Sequence, residues 1–444
     1  MKKVTIAGAG LVGSLAAVYL ARRGYTVEVY EKRPDMRKGN LDVGRSINLV
    51  ISHRGWNALR QVGLVEDIEQ LTVPAYGRCI HDVQGNTNFQ PYSIKNEPIH
   101  SVSRGGLNAR LMDLAEAHEN VTMYFNHKCS NVDLDNAAAT FINGDGETEH
   151  VQADLLIGAD GAFSKVRQRM QTADRFNYSQ QYIEHGYKEI HFPANPDGTP
   201  QMRLDALHIW PRKNFMLMGL ANLDNGFTGT LFFPFEGEPW SFDTIKTEDD
   251  VMRFFKEVFP DAIPLLPDLT EQYMSNPTSS LVIVRCGPWH YKNKVLLVGD
   301  AAHAIVPFYG EGMNCGFEDV FVLDQLMEQL GEDFDQVLPA YSKAREANGN
   351  AIADLSLRNF IEMRDLVADP EFLLRKKIEG RMYAGHPEKW VPLYSQVKFT
   401  NIPYAEALAE GQKHDRIMEA VLKMPNIAER WDAPEVEQQI LAAL

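Results

Sequence analysis

Cysteine is scarce: four residues in 444, at positions 79, 129, 286 and 315, with no Cys-x-x-Cys pair. Thiols so far apart form neither a disulfide framework nor a linear zinc motif, and they suit a reducing cytosol. The thirteen histidines include no His-x-x-x-His pair joined to carboxylates or cysteines, so no metal centre is expected. Long uncharged apolar runs are missing, which predicts no membrane-spanning segment and no C-terminal membrane anchor. The Met-Lys-Lys start leads into an apolar stretch too short for a signal peptide, so export is not expected. Basic charge is in deficit, with 44 Lys and Arg against 60 Asp and Glu and a formal net charge of −16. That balance argues against nucleic acid and anionic membrane surfaces and leaves a small-molecule substrate as the expected partner. Internal repeats and low-complexity tracts are absent as well. Oligomeric state is left open, a homodimer being one option.

What is present is a chain long enough, at 44% hydrophobic residues, to build two or three interleaved lobes. Val4–Ala7 reads as a strand, Leu11–Arg23 as a helix and Thr26–Tyr30 as a second strand, which together make one βαβ unit. Two more apolar runs end in Gly and Asp, ADLLIGADG at 153–161 and KVLLVGD at 294–300, and are expected to share its sheet. Between them, 186–193, 206–211, 214–220 and 227–233 are rich in aromatic and branched residues, predicting a mainly antiparallel lobe. From Phe317 onward the pattern is helical, at 318–330, 338–364, 371–383 and 404–422.

Gly8-Ala9-Gly10-Leu11-Val12-Gly13 follows a strand and opens a helix, so backbone amides and a helix N-terminus can face a pyrophosphate. Glu31 closes the second strand, where a carboxylate accepts from ribose hydroxyls and repels a ribose 2′-phosphate. The dinucleotide bound here is therefore FAD or NAD rather than NADP. Gly299-Asp300 and the following AAHAIVPFYGEGMNCGFED predict a helix starting near Gly312, with its amides directed at the same crevice. An NAD site needs no such second loop. A flavin does: Asp300 can meet its ribityl hydroxyls, and a helix N-terminus stabilises the anionic reduced ring.

The glycine fingerprint, Asp160-Gly161 in GADG and Gly299-Asp300 together resemble the single-component flavoprotein aromatic hydroxylases. The resemblance implies an α/β fold in which a glutathione-reductase-like Rossmann domain interleaves with a mainly antiparallel substrate domain, followed by C-terminal helices. The segments expected are 1–75, 101–178 and 285–365 for the FAD domain, 76–100 and 179–284 for the substrate domain, and 366–444 for the helical region. It also implies noncovalently bound FAD, NADPH as a transient hydride donor without a Rossmann unit of its own, and O2 as co-substrate. Five longer strings, GRSINLVISHRG (44–55), YSQQYIEHGYKEI (178–190), LHIWPR (207–212), HAIVPFYGEGMN (303–314) and WVPLYSQVKF (390–399), resemble one branch of the family. Its substrate is an amino acid carrying an aniline-type ring.

On that resemblance the flavin is contacted by Gly8, Gly10, Val12, Gly13, Glu31, Lys32, Arg33, Arg104, Asp160, Asp300, Pro307, Gly312, Met313 and Asn314. Arg78 and Tyr92 are implied to bind the substrate carboxylate with Tyr404, and Asn359 its amine or ketone. A guanidinium suits a carboxylate because its fork donates two parallel hydrogen bonds. Phe233, Phe308 and Pro307 are candidate walls for the aromatic ring. No protein side chain is expected to act as catalyst, since an aniline ring is already electron-rich ortho to its amine and the flavin carries the chemistry. Three positions depart from the family pattern: Glu311 in place of Gln, Tyr309 in place of Phe or His, and Gln396 in place of Met. An anion at Glu311 would oppose flavin reduction unless it is protonated or turned to solvent. The competing readings are a hydroxylase of another aromatic acid or amine, a flavin halogenase, weakened by the absence of Trp-x-Trp-x-Ile-Pro, and a noncatalytic FAD-fold binding module.

Overall fold

Strand β1 (Lys3–Ala7), helix α1 (Leu11–Arg22) and strand β2 (Thr26–Tyr30) form the expected βαβ unit. β1 lies at the centre of a six-stranded sheet, between β2 and Leu155–Gly158, with Val295–Leu297 next outward and Val121–Tyr124 beyond β2. These five strands run parallel; His290–Tyr291 closes the sheet edge antiparallel to Val295–Leu297. Val4, Ile6, Leu155, Leu156, Ile157, Val295, Leu296 and Leu297 are all fully buried, which is why these strands read as continuous apolar runs rather than alternating ones.

The computed structural model describes residues 2–39, 48–366 and 369–444. The first four residues of the 44–55 string therefore lie outside the described residues. The chain divides into two units, the first comprising Met1–Thr72, Ser101–Ile183 and Ser280–Ser356, the second Val73–His100, Glu184–Ser279 and Leu357–Leu444. A three-stranded antiparallel sheet in the first unit, Lys128–Asp133, Ala138–Ile142 and Thr148–Gln152, was not legible in the sequence.

In the second unit the strands Asn177–Phe192, Phe227–Pro234, Phe215–Ala221, Ala206–Arg212, Gly77–His81 and Thr87–Pro91 lie side by side in that order. All pairings are antiparallel except that of Ala206–Arg212 with Gly77–His81. One face packs Phe192, Trp210, Leu231 and Phe233 against Val251, Phe254 and Phe255 of the helix Glu248–Val258. That helix starts at a capping box in which Thr247 and Asp250 satisfy each other's backbone amides. Phe233 is thus a core residue, ringed by Phe215, Phe242 and Phe254 at centroid distances of 5.1, 5.0 and 4.7 Å, and not a pocket wall. The C-terminal helices Pro370–Gly385, Tyr404–Leu422 and Pro434–Ala443 bury a separate cluster that includes Ile378, Met382, Trp390, Met418 and Ile440. Among the described residues no helix is long and apolar enough to cross a membrane.

Candidate active site

The parallel sheet gathers the dinucleotide motifs at one edge. Ala7 is in register with Tyr30 and with Gly158, and Gly158 with Leu297, so four adjacent strands end level. Their carboxyl ends carry, in spatial order, Asp300, Asp160, the glycine loop and Glu31. At about 4.8 Å between strands the row spans roughly 14 Å, outside the carboxyl edge where open α/β sheets bind nucleotides.

Close packing dictates the loop sequence. A Cβ on Gly13 would stand 2.0 Å from the Gly8 carbonyl oxygen, so only glycine lets α1 approach β1 this closely. A Cβ on Gly10, by contrast, would meet nothing within 4 Å, which leaves the approach to that backbone open to a ligand. Glu31 Oε2 accepts from the amide of Ala9 and Oε1 from that of Arg33, both at 3.0 Å, fixing the loop to the end of β2 while lone pairs remain for hydroxyl donors. Lys32, Arg33 and Arg104 are exposed. Val12 packs under the opposite turn, against Gly299 and Gly316.

Two acceptors beside this loop are buried without a hydrogen-bond partner, Asp160 Oδ1 and Asn108 Oδ1. Asp160 Oδ2 accepts from the amides of Lys165 (2.6 Å) and Val166 (3.3 Å). Burial pushes the Asp160 carboxyl above the usual range, against the hydrogen bonds from Ser164 and these amides that hold it down. Asn108 Nδ2 donates to the Ala9 carbonyl at 3.2 Å, on the helix Arg104–Glu116 one turn after Arg104. Buried polar atoms are almost always paired, so two orphans at the motif edge mark where a polar ligand completes the structure. Sequence reading did not single out Asn108; its place one helical turn beyond Arg104 was the available signal.

The Gly299-Asp300 turn is held from behind. Gly299 has φ +58°, and its amide donates to Asp319 Oδ2 at 2.9 Å. Asp319 also binds His303 Nε2 (2.6 Å) and Arg345 Nε (2.8 Å), and Glu318 binds Arg345 (2.5 Å) and Arg54 (2.6 Å). Burial alone would depress His303, but Asp319 prevails and holds its imidazole well above the usual value; burial likewise opposes the Asp319 charge, and His303 and Arg345 keep it low. A charge-paired network, buried except at half-buried Glu318, thus orients the turn that presents exposed Asp300. The helix Gly312–Leu330 begins where the sequence predicts, and its first amides have no intrahelical acceptor. Pro307 opens a short 3-10 turn before it, and Met313 is buried. The Asn314 side chain is committed to protein: it accepts from the Ser52 amide (2.9 Å) and donates to the carbonyls of Val50 (2.7 Å) and Gly310 (2.9 Å). Glu311 is fully buried and accepts from Ser52 Oγ at 3.2 Å, so it does not turn to solvent.

In the second unit, Arg78 and Tyr92 share a sheet face, because Arg78 pairs with Gln90 and Tyr92 follows two residues later. The Arg78 guanidinium lies 4.9 Å from the ring centre of Tyr394 and 5.8 Å from that of Tyr92, and these two rings stack at 5.2 Å and 14°. Glu362 Oε1 stands 3.5 Å from Arg78 Nη1, in a single π-helical turn at Glu362–Leu366. Burial pushes the Tyr92 hydroxyl up to about 12, against the opposing pull of Arg78. Asn359 is buried near the end of the helix Phe334–Ile361 and donates to Met363 Sδ at 3.1 Å. Tyr404 is completely buried at the start of its helix. Tyr394, inside the 390–399 string, and Glu362 are the neighbours of Arg78 that sequence reading passed over.

The family model for the FAD binding domain matches residues 1–356. Kynurenine 3-monooxygenase of Flavobacterium johnsoniae is 48% identical over 443 residues, covering 100% of this chain and 98% of that protein. The enzyme of the same name from Dictyostelium discoideum is 43% identical, covering 95% and 93%. Among solved structures, tetrameric 2-methyl-3-hydroxypyridine-5-carboxylic acid oxygenase superposes with a TM-score of 0.68 at 22% identity, over 88% of this chain and 98% of its own. Pseudomonas aeruginosa PqsL in complex with 2-aminobenzoylacetate superposes with a TM-score of 0.62 at 18% identity, over 82% and 97%. At such identities the structural matches establish the fold.

Proposed function

Since the chain belongs to the kynurenine 3-monooxygenase family of FAD-dependent aromatic hydroxylases, we propose that it converts L-kynurenine, NADPH, a proton and O2 into 3-hydroxykynurenine, NADP+ and water. The first unit suits FAD on its own geometry. Asp160 Oδ1 and Asn108 Oδ1 supply buried acceptors for cofactor hydroxyls, the space over Gly10 admits a pyrophosphate, and Asp300 offers a carboxylate held by the Asp319 network. Bound FAD supplies the redox chemistry that accepts a hydride and activates oxygen. Glu31, Lys32, Arg33 and Arg104 are assigned to the outer end of the cofactor. Pro307, Gly312 and Met313 are assigned to its ring, and Asn314 acts by holding their backbone.

The second unit provides the substrate contacts in this reading. The observation that carries it is the pairing of buried Arg78, flanked by two tyrosine rings, with the half-buried Glu362. A zwitterionic amino acid matches this pair charge for charge, its carboxylate on Arg78 and its ammonium on Glu362. With the Tyr394 ring centre 4.9 Å from the guanidinium, a substrate carboxylate would meet the N–H groups in exchange for their present partners. Tyr92 and Tyr394 add hydroxyl donors, and the high value at which burial sets Tyr92 keeps its proton in place. Asn359 hydrogen-bonds the ketone or amine, while Tyr404 supports the wall from within the core. The protein positions the ring and excludes water; it supplies no acid or base to the substrate. A cytoplasmic location belongs to the same proposal, supported by four free cysteines.

The test is NADPH oxidation by the purified yellow protein with and without L-kynurenine. Substrate should accelerate flavin reduction and yield a product carrying one additional oxygen. If another aromatic acid does this and L-kynurenine does not, the substrate assignment fails while the flavin assignment stands.

A further inference from the structure

We propose that Cys79, His81 and His208 form a binding site for one divalent metal ion of zinc-like chemistry, on the sheet face opposite Arg78. Side chains alternate along Gly77–His81, so Arg78 points to one face while Cys79 and His81 point to the other. Ala206–Arg212 runs parallel beside it with His208 in register with Cys79. One thiol and two imidazoles therefore converge, with their ligand atoms within 4.8 Å of one another and all three residues buried.

The hydrogen bonds of the two imidazoles turn one nitrogen of each ring toward a common point. His208 Nε2 lies 2.9 Å from the Arg203 carbonyl oxygen, and a carbonyl only accepts, so this nitrogen carries the hydrogen. His81 Nδ1 lies 3.6 Å from Asp261 Oδ2, a carboxylate oxygen that favours a hydrogen on the facing nitrogen. The inner nitrogens, His81 Nε2 and His208 Nδ1, face each other at 2.8 Å. In the metal-free protein His81 Nε2–H donates to His208 Nδ1; with the His81 hydrogen on Nδ1 instead, beside Asp261, both inner nitrogens present lone pairs to a single metal ion.

Two features favour the metal. Cys79 brings a thiol to the same point, which a hydrogen bond between the two rings does not use and which completes a set of one thiolate and two imidazole donors of the kind zinc takes. The outer nitrogens are also oriented by a carboxylate and a backbone carbonyl, the usual second partners of metal-bound imidazoles. The His81 ring is further clamped by Trp210, stacked at 3.9 Å, whose Nε1 donates to Asp261 at 2.6 Å. Arg203, a cation that acts on Cys79, is neutralised by Asp205 at 2.7 and 2.8 Å. Tetrahedral zinc would set the nitrogens about 3.3 Å apart, so they need to separate by only roughly half an ångström. With His208 lying 127 residues from His81, linear spacing could not reveal the set.

The full-length, flavin-loaded protein produced in zinc-supplemented medium should retain about one zinc ion per chain after dialysis, by elemental analysis. Loading with Co2+ in its place should give a thiolate-to-cobalt charge-transfer band. Cys79→Ser and His208→Gln should each lower metal retention at least about tenfold, with flavin content reporting that the chain still folds. A wild-type protein that holds less than about a tenth of an equivalent, or variants that retain zinc, would overturn the site in favour of a plain hydrogen bond between the two imidazoles. Should a variant not fold, the presence or absence of the cobalt band in wild type decides alone. Metal content is read independently of turnover, so this outcome does not depend on the substrate assignment.

Discussion

Arg78 is a buried cation with Glu362 at 3.5 Å, and the role proposed for it rests on that pairing being exchangeable for a substrate carboxylate. Arg78→Ala removes a charge-assisted, two-point contact and is expected to weaken L-kynurenine binding by about 2–4 kcal/mol, roughly 30- to 1000-fold in Kd, with FAD content unchanged. Arg78→Lys should recover little of this, because an ammonium can neither fork nor stack on Tyr394. Substrate titration of the flavin absorbance measures both; wild-type affinity in either variant rejects the role. The residue scale also explains why Tyr394 escaped notice. Alone it is one of sixteen tyrosines, and nothing in its local sequence says that its ring lies over a guanidinium carried on a strand more than 300 positions earlier.

At the scale of elements, the glycine loop separates packing from binding. Gly13→Ala would drive a methyl to 2.0 Å from the Gly8 oxygen, prising α1 from β1. We expect a loss of at least about 1–3 kcal/mol of stability together with loss of flavin. Gly10→Ala meets open space in the protein, so thermal unfolding of the flavin-free form should change by less than about 0.5 kcal/mol while FAD affinity falls. Identical unfolding losses in the two variants, or wild-type FAD affinity in Gly10→Ala, would contradict this division. The βαβ unit itself was readable because its strands are buried on both faces and its glycines occur where backbone must approach backbone. The sheet at 128–152 was not, because its strands are half-exposed and its outer two, KCSNVD and TEHVQ, are largely polar and carry no apolar run.

For the whole molecule, ligand linkage distinguishes FAD from NAD, the alternative that Glu31 leaves open. Flavin-stripped protein given FAD at about 100 times its Kd should gain about 2.7 kcal/mol, a rise of several degrees in Tm. NAD+ at the same concentration should give little, since it reaches the glycine loop and Glu31 but presents no ribityl chain to Asp300. Equal shifts would mean that the Asp300 loop takes no part in binding. The charge of −16 works at this scale too, as a field that disfavours anionic partners without specifying what binds.

Sequence alone determined the dinucleotide edge, because that site is made of backbone: strand ends, tight glycine turns and helix starts, each encoded within a dozen neighbouring residues. The long helices and aromatic strands were determined in the same way, by local periodicity. Only the tertiary structure decided which side chains meet. The pairing of Arg78 with Glu362 and Tyr394, the Asp319 network behind Gly299, and the facing His81 and His208 rings all depend on strand register and helix packing between segments far apart in the chain. A one-residue slip in register would send each of these strand side chains to the opposite face, and no local pattern records that choice.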